Sequence, residues 1–467
     1  MTSPQVSHWC AGAAYLSRRF GSGTIGGMPT LLWFRRDLRL SDHPALLAAA
    51  QDDAQVLACY VLDPRLIASA GTRRLGYLYR SLHELRERLD GKFLVVQGRP
   101  EEQIPRLARA VGAASVHISQ DYSPFGRRRD DAVRTALDDV PLCATGSPYL
   151  VSPERIGKQD GTPYQVFTPY YRAWRDHGWR APAASGPDSA RWIDPAGLPG
   201  ATEIPDITGQ SDAPAGERAA MAQWRAFVET WLPNYATDRD RPDLDTTSRM
   251  SAHLKFGTIH PRTMAVDLGA DADAYLRELA FRDFYATVLH HWPESAWQSW
   301  SPGMASIEVD DGPDAQRMFD AWTAGMTGFP IVDAGMRQLS QTGFMHNRVR
   351  MIAASFLVKD LHLPWQWGAR WFLDQLTDGD VANNQHGWQW VAGCGTDAAP
   401  YFRVFNPTTQ GAKFDPAGDY IRRWVPELAE VADVHKLDAG RPAGYPDPIV
   451  DHAEERREAL RRYQQLR

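Results

Sequence analysis

Residues 378–390 of the 467-residue chain read DGDVANNQHGWQW. Two aspartates, a run of side-chain amides, a histidine and two tryptophans share this short stretch. Buried polar side chains need partners, so the mixture is too polar for a core, and it is too aromatic for a loop. It reads as a segment that holds something. Upstream, DTTSRMSAHLKFG at 245–257 places Thr247, Ser248 and Ser251 around Arg249 where a loop turns into a helix. Hydroxyls and free backbone N–H groups at a helix start suit a phosphate, and they equally suit an ordinary N-cap. The stretch ELAFRDF sets Glu278 and Arg282 on one helix face, a spacing that a surface ion pair also explains. HNRVRM gathers His346, Asn347, Arg348 and Arg350, where the arginines can meet phosphate or face water.

The composition bounds what these residues serve. A chain of this length can form two or three domains, and 43% hydrophobic with 23% charged residues is the balance of a globular protein. No apolar run approaches the roughly 18 residues of a membrane span, so no membrane partner is expected. Cys10, Cys59, Cys143 and Cys394 form no CxxC pair, which argues against a disulfide framework and a zinc site and fits a reducing cytoplasm. No metal is expected. The net charge of −6 speaks against a nucleic-acid partner, yet residues 337–425 carry nine Lys or Arg against seven Asp. Seventeen tryptophans, most of them beyond residue 220, exceed what a core requires.

The elements that must position these residues fall into two halves. Short apolar runs (TLLWF, QVLACYVLD, KFLVVQG, SVHIS) alternate with helical stretches such as TRRLGYLYRSLHELRERLD and PEEQIPRLARAVG. That alternation predicts an α/β domain, a doubly wound, Rossmann-like parallel sheet, over 28–150. It lacks the GxGxxG turn, so the usual dinucleotide fingerprint is missing. Residues 1–27 contain no acidic residue and no long apolar core, and read as a disordered extension ahead of Met28 rather than a transit peptide. Residues 151–216, Pro-, Gly- and Ala-rich from 181 onward, read as an interdomain linker. Apolar spacings of three and four then predict an all-α domain over 217–467, with one long helical stretch across 330–361.

The order of LLWFRRDLRLSDHPAL, TGFMHNRVRMIAASFLVKDL, DGDVANNQHGWQW and GTDAAPYFRVFNPTTQGAKFD resembles the DNA photolyase and cryptochrome family, in its class I bacterial branch that repairs cyclobutane pyrimidine dimers. The likeness runs from about residue 29 to about residue 450. It implies an N-terminal antenna domain and a helical domain holding FAD, active as reduced FADH⁻. Position by position it implies flavin contacts from Tyr235, Thr247, Ser248, Arg249, Met250, Ser251, Glu278, Arg282, Asn347, Arg350, Asp378, Asp380 and Asn384. Asp378 is expected to pair with Arg350, Asp380 to approach the isoalloxazine edge, and Asn384 to face flavin N5. An amide there accepts from a protonated N5 or donates to an unprotonated one.

The same resemblance assigns Glu278, Arg348, Met351 and Trp390 to a pocket for a dimer flipped out of UV-damaged DNA, with Phe281 where the family usually has tryptophan. SQDYSPFGRRRD and Lys255 resemble the branch with an 8-hydroxy-5-deazaflavin antenna, placing Asp121, Gly126 and Lys255 near it; methenyltetrahydrofolate or no chromophore are the alternatives. Trp388 and Trp365 match two of three tryptophans that relay an electron to oxidised flavin. The outer one has no counterpart, Val309 or a neighbour standing there, which leaves Trp300, Trp297 or Trp322 as a detour. A monomeric, light-driven carbon–carbon lyase is the expected function. The alternatives are a cryptochrome photoreceptor and a (6-4) photoproduct enzyme, the latter requiring an acid site at paired histidines that His346 alone does not decide.

Overall fold

The computed structural model describes residues 27–206, 213–397, 402–437 and 440–466. The extension expected over 1–27 lies outside the described residues except for Gly27.

Five parallel strands, β1 (Gly27–Phe34), β2 (Ala54–Leu62), β3 (Leu94–Gln97), β4 (Ser115–Ile118) and β5 (Leu142–Ala144), lie in the order β3-β2-β1-β4-β5. The central strand explains why the sheet is covered on both sides. Side chains alternate between faces. Leu32 and Phe34 of β1 therefore join one core with Tyr77, Leu82 and Leu85 of the helix Thr72–Arg88. Leu31 and Trp33 join another with Ile104, Leu107 and Val133 on the opposite face. Its inner part, Leu31–Phe34, reads as an unbroken apolar run because neither face meets water there.

The described residues of the expected linker, 151–206 and 213–216, are more ordered than their composition suggests. Its helix Phe167–His177 buries Tyr170 and Trp174 in a cluster with Phe284 and Val288 of the long helix Asp273–His291. Asp283 fastens this join, accepting from the Val151 backbone N–H (2.9 Å) and Trp174 Nε1 (3.1 Å). Further on, β6 (Arg191–Trp192) adds to the sheet in parallel against the start of β2. A two-residue strand has no period to detect.

The helical half departs from expectation at one place. The stretch over 330–361 is two helices, Pro330–Thr342 and Asn347–Lys359. Gly343 ends the first in the left-handed region at φ +69°, where a Cβ would also collide with Arg73 and Thr377. His346 then caps the second, its Nδ1 accepting from the Arg348 N–H. The two halves are tied by backbone groups: Leu38 N–H donates to Phe256 O (3.1 Å), and buried Glu217 accepts from the N–H groups of Leu40 (2.6 Å) and Ser41 (2.9 Å).

Burial pushes His117, His253, His346 and His386 down to about 4 from the ordinary 6.5. Between those values the unfolded chain binds more protons at these sites, so their stabilisation is complete above pH 6.5 and is lost as pH falls toward 4. Asp283, pushed up to about 6 by burial, acts in the opposite sense over part of the window, as do Glu278, Asp333, Asp360, Asp397 and Asp415, which burial also raises; burial lowers His260 and His290 as well, and the histidines set the sign. The thermal midpoint, followed by calorimetry, should fall continuously as pH is lowered from about 7 to about 4.5; a flat profile would show that these imidazoles are free to charge in the folded protein.

Candidate functional site

The segment 378–390 divides its polar groups between two tasks. Asp380 caps the helix Val381–Ala392, its Oδ1 accepting from the Asn383 backbone N–H (3.1 Å) and from Asn383 Nδ2 (3.0 Å). Buried Gln385 and Gln389 anchor the helix to the turn before it: Gln385 donates to Ala296 O (2.8 Å), and Gln389 donates to Ser295 O (2.6 Å) while accepting from Trp300 N–H (2.9 Å). The residues left half-buried are Asn383, Asn384, Gly387 and Trp390, spaced as one helical stripe. A Cβ on Gly387 would meet no atom within 4 Å, so the stripe borders open space.

Against this helix packs Asp273–His291, with its own half-buried stripe of Glu278, Phe281 and Tyr285. Phe281 lies flat on Phe167, their planes 7° apart. The Glu278–Arg282 ion pair that the spacing allows is not formed. Arg282 is buried, donates to the carbonyls of Pro148 (2.8 Å) and Leu254 (3.0 Å), and lies over the Tyr149 ring. Glu278 is instead bound by Arg239 at 2.7 Å, and burial pushes its carboxyl up against that neighbour's opposing charge.

The loop before Ser251–Phe256 holds Asp245 and Arg249 both at φ +53°, a conformation costing about 1–3 kcal/mol in a residue with a side chain. Arg249 salt-bridges Asp245 and covers Phe344. The capping role open to these hydroxyls is not taken: the cap residue is Met250, with no side-chain cap bond. Ser248 Oγ meets Tyr275 Oη at 2.8 Å, and Tyr235 packs edge-on against the same Tyr275 ring. Thr247 is half-buried and Ser251 exposed, beside the buried Met250.

Asp378 pairs with Arg350 at 3.0 Å. Exposed Asn347 begins the helix that carries Arg348, Arg350 and Met351. A cavity of about 680 Å³ is lined by Arg348, Met351, Asp240, Arg241, Lys413 and Phe414 among others. Arg348 binds Asp240 at 2.8 Å and lies over Phe414. Neither Arg239 nor Asp240 stood out in the sequence. They sit in a charge-rich run, and nothing in the spacing connects position 239 to 278 or 240 to 348.

A second cavity, about 760 Å³, opens beyond the C-terminal ends of β1, β2 and β4, where α/β sheets bind ligands at the switch in strand order. Trp33, Asp121, Lys255 and Asp380 contribute to its wall. Gly126 lies behind rather than in that wall: a Cβ there would be 2.1 Å from the Asp121 carboxyl carbon. Asp380 also reaches Arg36 (2.7 Å) and Lys255 (4.0 Å) through Oδ2, so both its oxygens have protein partners. Burial would raise its carboxyl, but Arg36 and Lys255 hold it well below the usual range. Burial, aided by Arg36, lowers Lys255 to about 7.

Of the tryptophans, Trp388 is buried against Gly368, whose Cβ would lie 2.1 Å from the indole. Its ring contacts are Phe372 (5.0 Å) and Trp322 (6.1 Å). No such ring pairing joins it to Trp365, which donates to Ser299 Oγ (3.2 Å). Trp300 packs on Trp292, Trp297 lies under Arg370, and Val309 is exposed.

Comparison with known proteins agrees with this arrangement in both halves. Residues 30–188 match the family model for DNA photolyase, and 275–465 that for the FAD binding domain of DNA photolyase. The deoxyribodipyrimidine photo-lyase of Halobacterium salinarum is 39% identical, covering 94% of this chain and 99% of its own length. That of Thermus thermophilus is 40% identical, with 93% and 98% covered. The crystal structure of a bacterial class III photolyase from Agrobacterium tumefaciens superposes with a TM-score of 0.87 at 36% identity, over 95% of this chain and 99% of that one. With both halves matched in order and nearly the whole length shared, the chain belongs to the DNA photolyase and cryptochrome family.

Proposed function

We propose that the protein is a light-driven deoxyribodipyrimidine photo-lyase, which binds FAD and splits cyclobutane pyrimidine dimers in UV-damaged DNA. The observation that carries this reading is that two packed helices each bear a half-buried stripe, Glu278 with Phe281 on one and Asn384 with Trp390 on the other. The residues fit the cofactor. Asn384 gives both amide hydrogens to the protein, to Ala369 O (2.9 Å) and Gln385 Oε1 (2.7 Å), so it offers an acceptor to a protonated flavin N5. Tyr235, Thr247, Ser248 and Ser251 would supply hydroxyls and Arg249 a cation for its phosphates and sugar, with the Met250 backbone beside them and Asn347 helping. The Arg350–Asp378 ion pair would border the ring system as a fixed dipole. FAD, when bound in its reduced form, supplies a photoexcited electron to the dimer and takes it back, without net redox change.

The remaining work falls to the chain. Trp390 and Phe281 offer faces on which flipped bases stack, and Met351 lines the 680 Å³ cavity. Glu278, its carboxyl raised by burial, is available as a hydrogen-bond partner for the pyrimidine edges. Arg348, Arg241 and Lys413 give the mouth of the cavity the charge that phosphates require. His346 does not act as an acid in this reading, because it caps a helix and burial keeps it neutral at pH 7. That disfavours (6-4) photoproducts as substrate.

The second cavity suits an 8-hydroxy-5-deazaflavin antenna. Arg35 and Arg129 sit over the Trp33 ring at 4.7 and 5.1 Å, and Asp121 and Lys255 stand in the same wall. Monomeric action in a reducing cytoplasm completes the reading. Buried Cys59 and Cys394 agree with it, burial raising both thiols, and among the described residues no helix is long and apolar enough to cross a membrane.

FAD-loaded, chemically reduced protein should split a dimer-containing oligonucleotide under blue light and leave a (6-4) product intact. Glu278→Ala should cost about tenfold in repair, the worth of one hydrogen bond to a charged partner. Dimers left intact by the wild type would falsify the assignment. Electron supply to oxidised flavin should depend on the rings that touch: flash absorption should show slowed photoreduction in Trp388→Phe and Trp322→Phe but not in Trp300→Phe, with repair by pre-reduced enzyme preserved in the Trp322 and Trp300 variants. Equal photoreduction in Trp322→Phe and wild type would remove Trp322 from the route. For the antenna, Lys255 is charged below about 7 and neutral above. Affinity for an anionic deazaflavin, read by fluorescence titration, should therefore weaken as pH rises through that value, and Lys255→Met should abolish the dependence.

A further inference from the structure

Two adjacent residues of opposite charge each hold a residue of the lesion pocket proposed above. Arg239 reaches Glu278 at 2.7 Å and Asp240 reaches Arg348 at 2.8 Å. Asp240 is the only carboxylate among the described lining residues of the 680 Å³ cavity, standing among Arg241, Arg348, Arg403 and Lys413. The Arg348 side chain is 18% exposed, with Nε buried and without a partner, so the pair with Asp240 is the polar contact that fixes its outer end. Asp240 itself is 39% exposed. An ion pair with one end so wet opens at little cost.

We infer that Asp240 is a specificity-determining residue, which withholds Arg348 from the phosphates of intact DNA. A carboxylate and a phosphate compete for the same guanidinium donors. An intact duplex that stays outside the cavity brings only its backbone and must displace Asp240 against that carboxylate's repulsion. A flipped dimer draws its affinity from stacking on Trp390 and Phe281 and a bond to Glu278, opening only the Arg239–Glu278 pair, so the cost of opening the Asp240–Arg348 pair falls on the intact duplex alone. Discrimination then rests on a repulsive element placed against the wrong ligand. This inference rests on the proposed lesion pocket.

The test uses FAD-loaded wild type, Asp240→Asn, Arg348→Ala and the double variant. Each is titrated with two labelled duplexes that differ by a single cyclobutane dimer, across a series of salt concentrations. Asp240→Asn should tighten binding of the intact duplex by about two- to fivefold and that of the damaged duplex by less, so the preference for damage falls. For the intact duplex, the slope of log affinity against log salt should steepen by about 0.9, one added phosphate contact. In the Arg348→Ala background the same substitution should leave the preference unchanged, and Asp240→Glu should retain the wild-type preference. A preference unaltered in Asp240→Asn, or lost equally in Asp240→Glu, overturns the inference. If Asp240→Asn fails to retain FAD, Asp240→Ser is read by the same criteria. A wild type that does not prefer the damaged duplex overturns the pocket assignment instead.

Discussion

The carboxylate of Asp380 is the constraint on which the rest of the molecule turns. One oxygen caps the helix that carries Asn384, Trp388 and Trp390, and the other meets Arg36 at the end of the first strand of the opposite half. A single side chain thereby sets both the start of the central helix and the distance of that helix from the sheet. Because the group is buried, its charge is tolerable only with cations at hand. Arg36 and Lys255 provide them, and both belong to the seam between the halves. Neutralising the carboxylate would therefore disturb the cap and the domain contact together.

The amides of the central helix show how one polar segment serves structure and function without conflict. Gln385 and Gln389 are satisfied inside the protein and fix the helix rigidly to the turn at 295–300. That rigidity lets Asn384 keep both its hydrogens on protein acceptors while its oxygen is left for another group. A residue held this way keeps a set orientation before any ligand arrives, which is the condition for precise recognition.

Much of this was legible in the sequence, for identifiable reasons. The α/β half declares itself because Leu31–Phe34 of β1 are buried on both faces and are apolar at every position. The helical half declares itself through its three- and four-residue spacings. The break at Gly343 escaped because both flanking helices enter the same core and apolar residues continue across the gap. β6 escaped because two residues carry no rhythm, and the helix Phe167–His177 because a Pro- and Gly-rich neighbourhood masked it. In the site, Arg350 and Asp378 pair as the resemblance implied, whereas the ion pair that local spacing allowed between Glu278 and Arg282 does not form. Arg282 lies nearer in sequence, but it faces the carbonyls of another segment, and only the tertiary fold brings Arg239 within reach. Spacing reports which residues share a helix face, not what that face meets.

The inter-domain cavity has walls from both halves, Trp33 and Asp121 from the sheet side, Asp380 and Ala382 from the helical side. Whatever occupies it touches both bodies at once. By mass action, an occupant that binds only the docked arrangement stabilises that arrangement, by about 2.7 kcal/mol at a hundredfold excess over its dissociation constant. A chromophore seated there would thus be mortar as well as lamp, and its loss would loosen the frame that holds the central helix in register with the sheet.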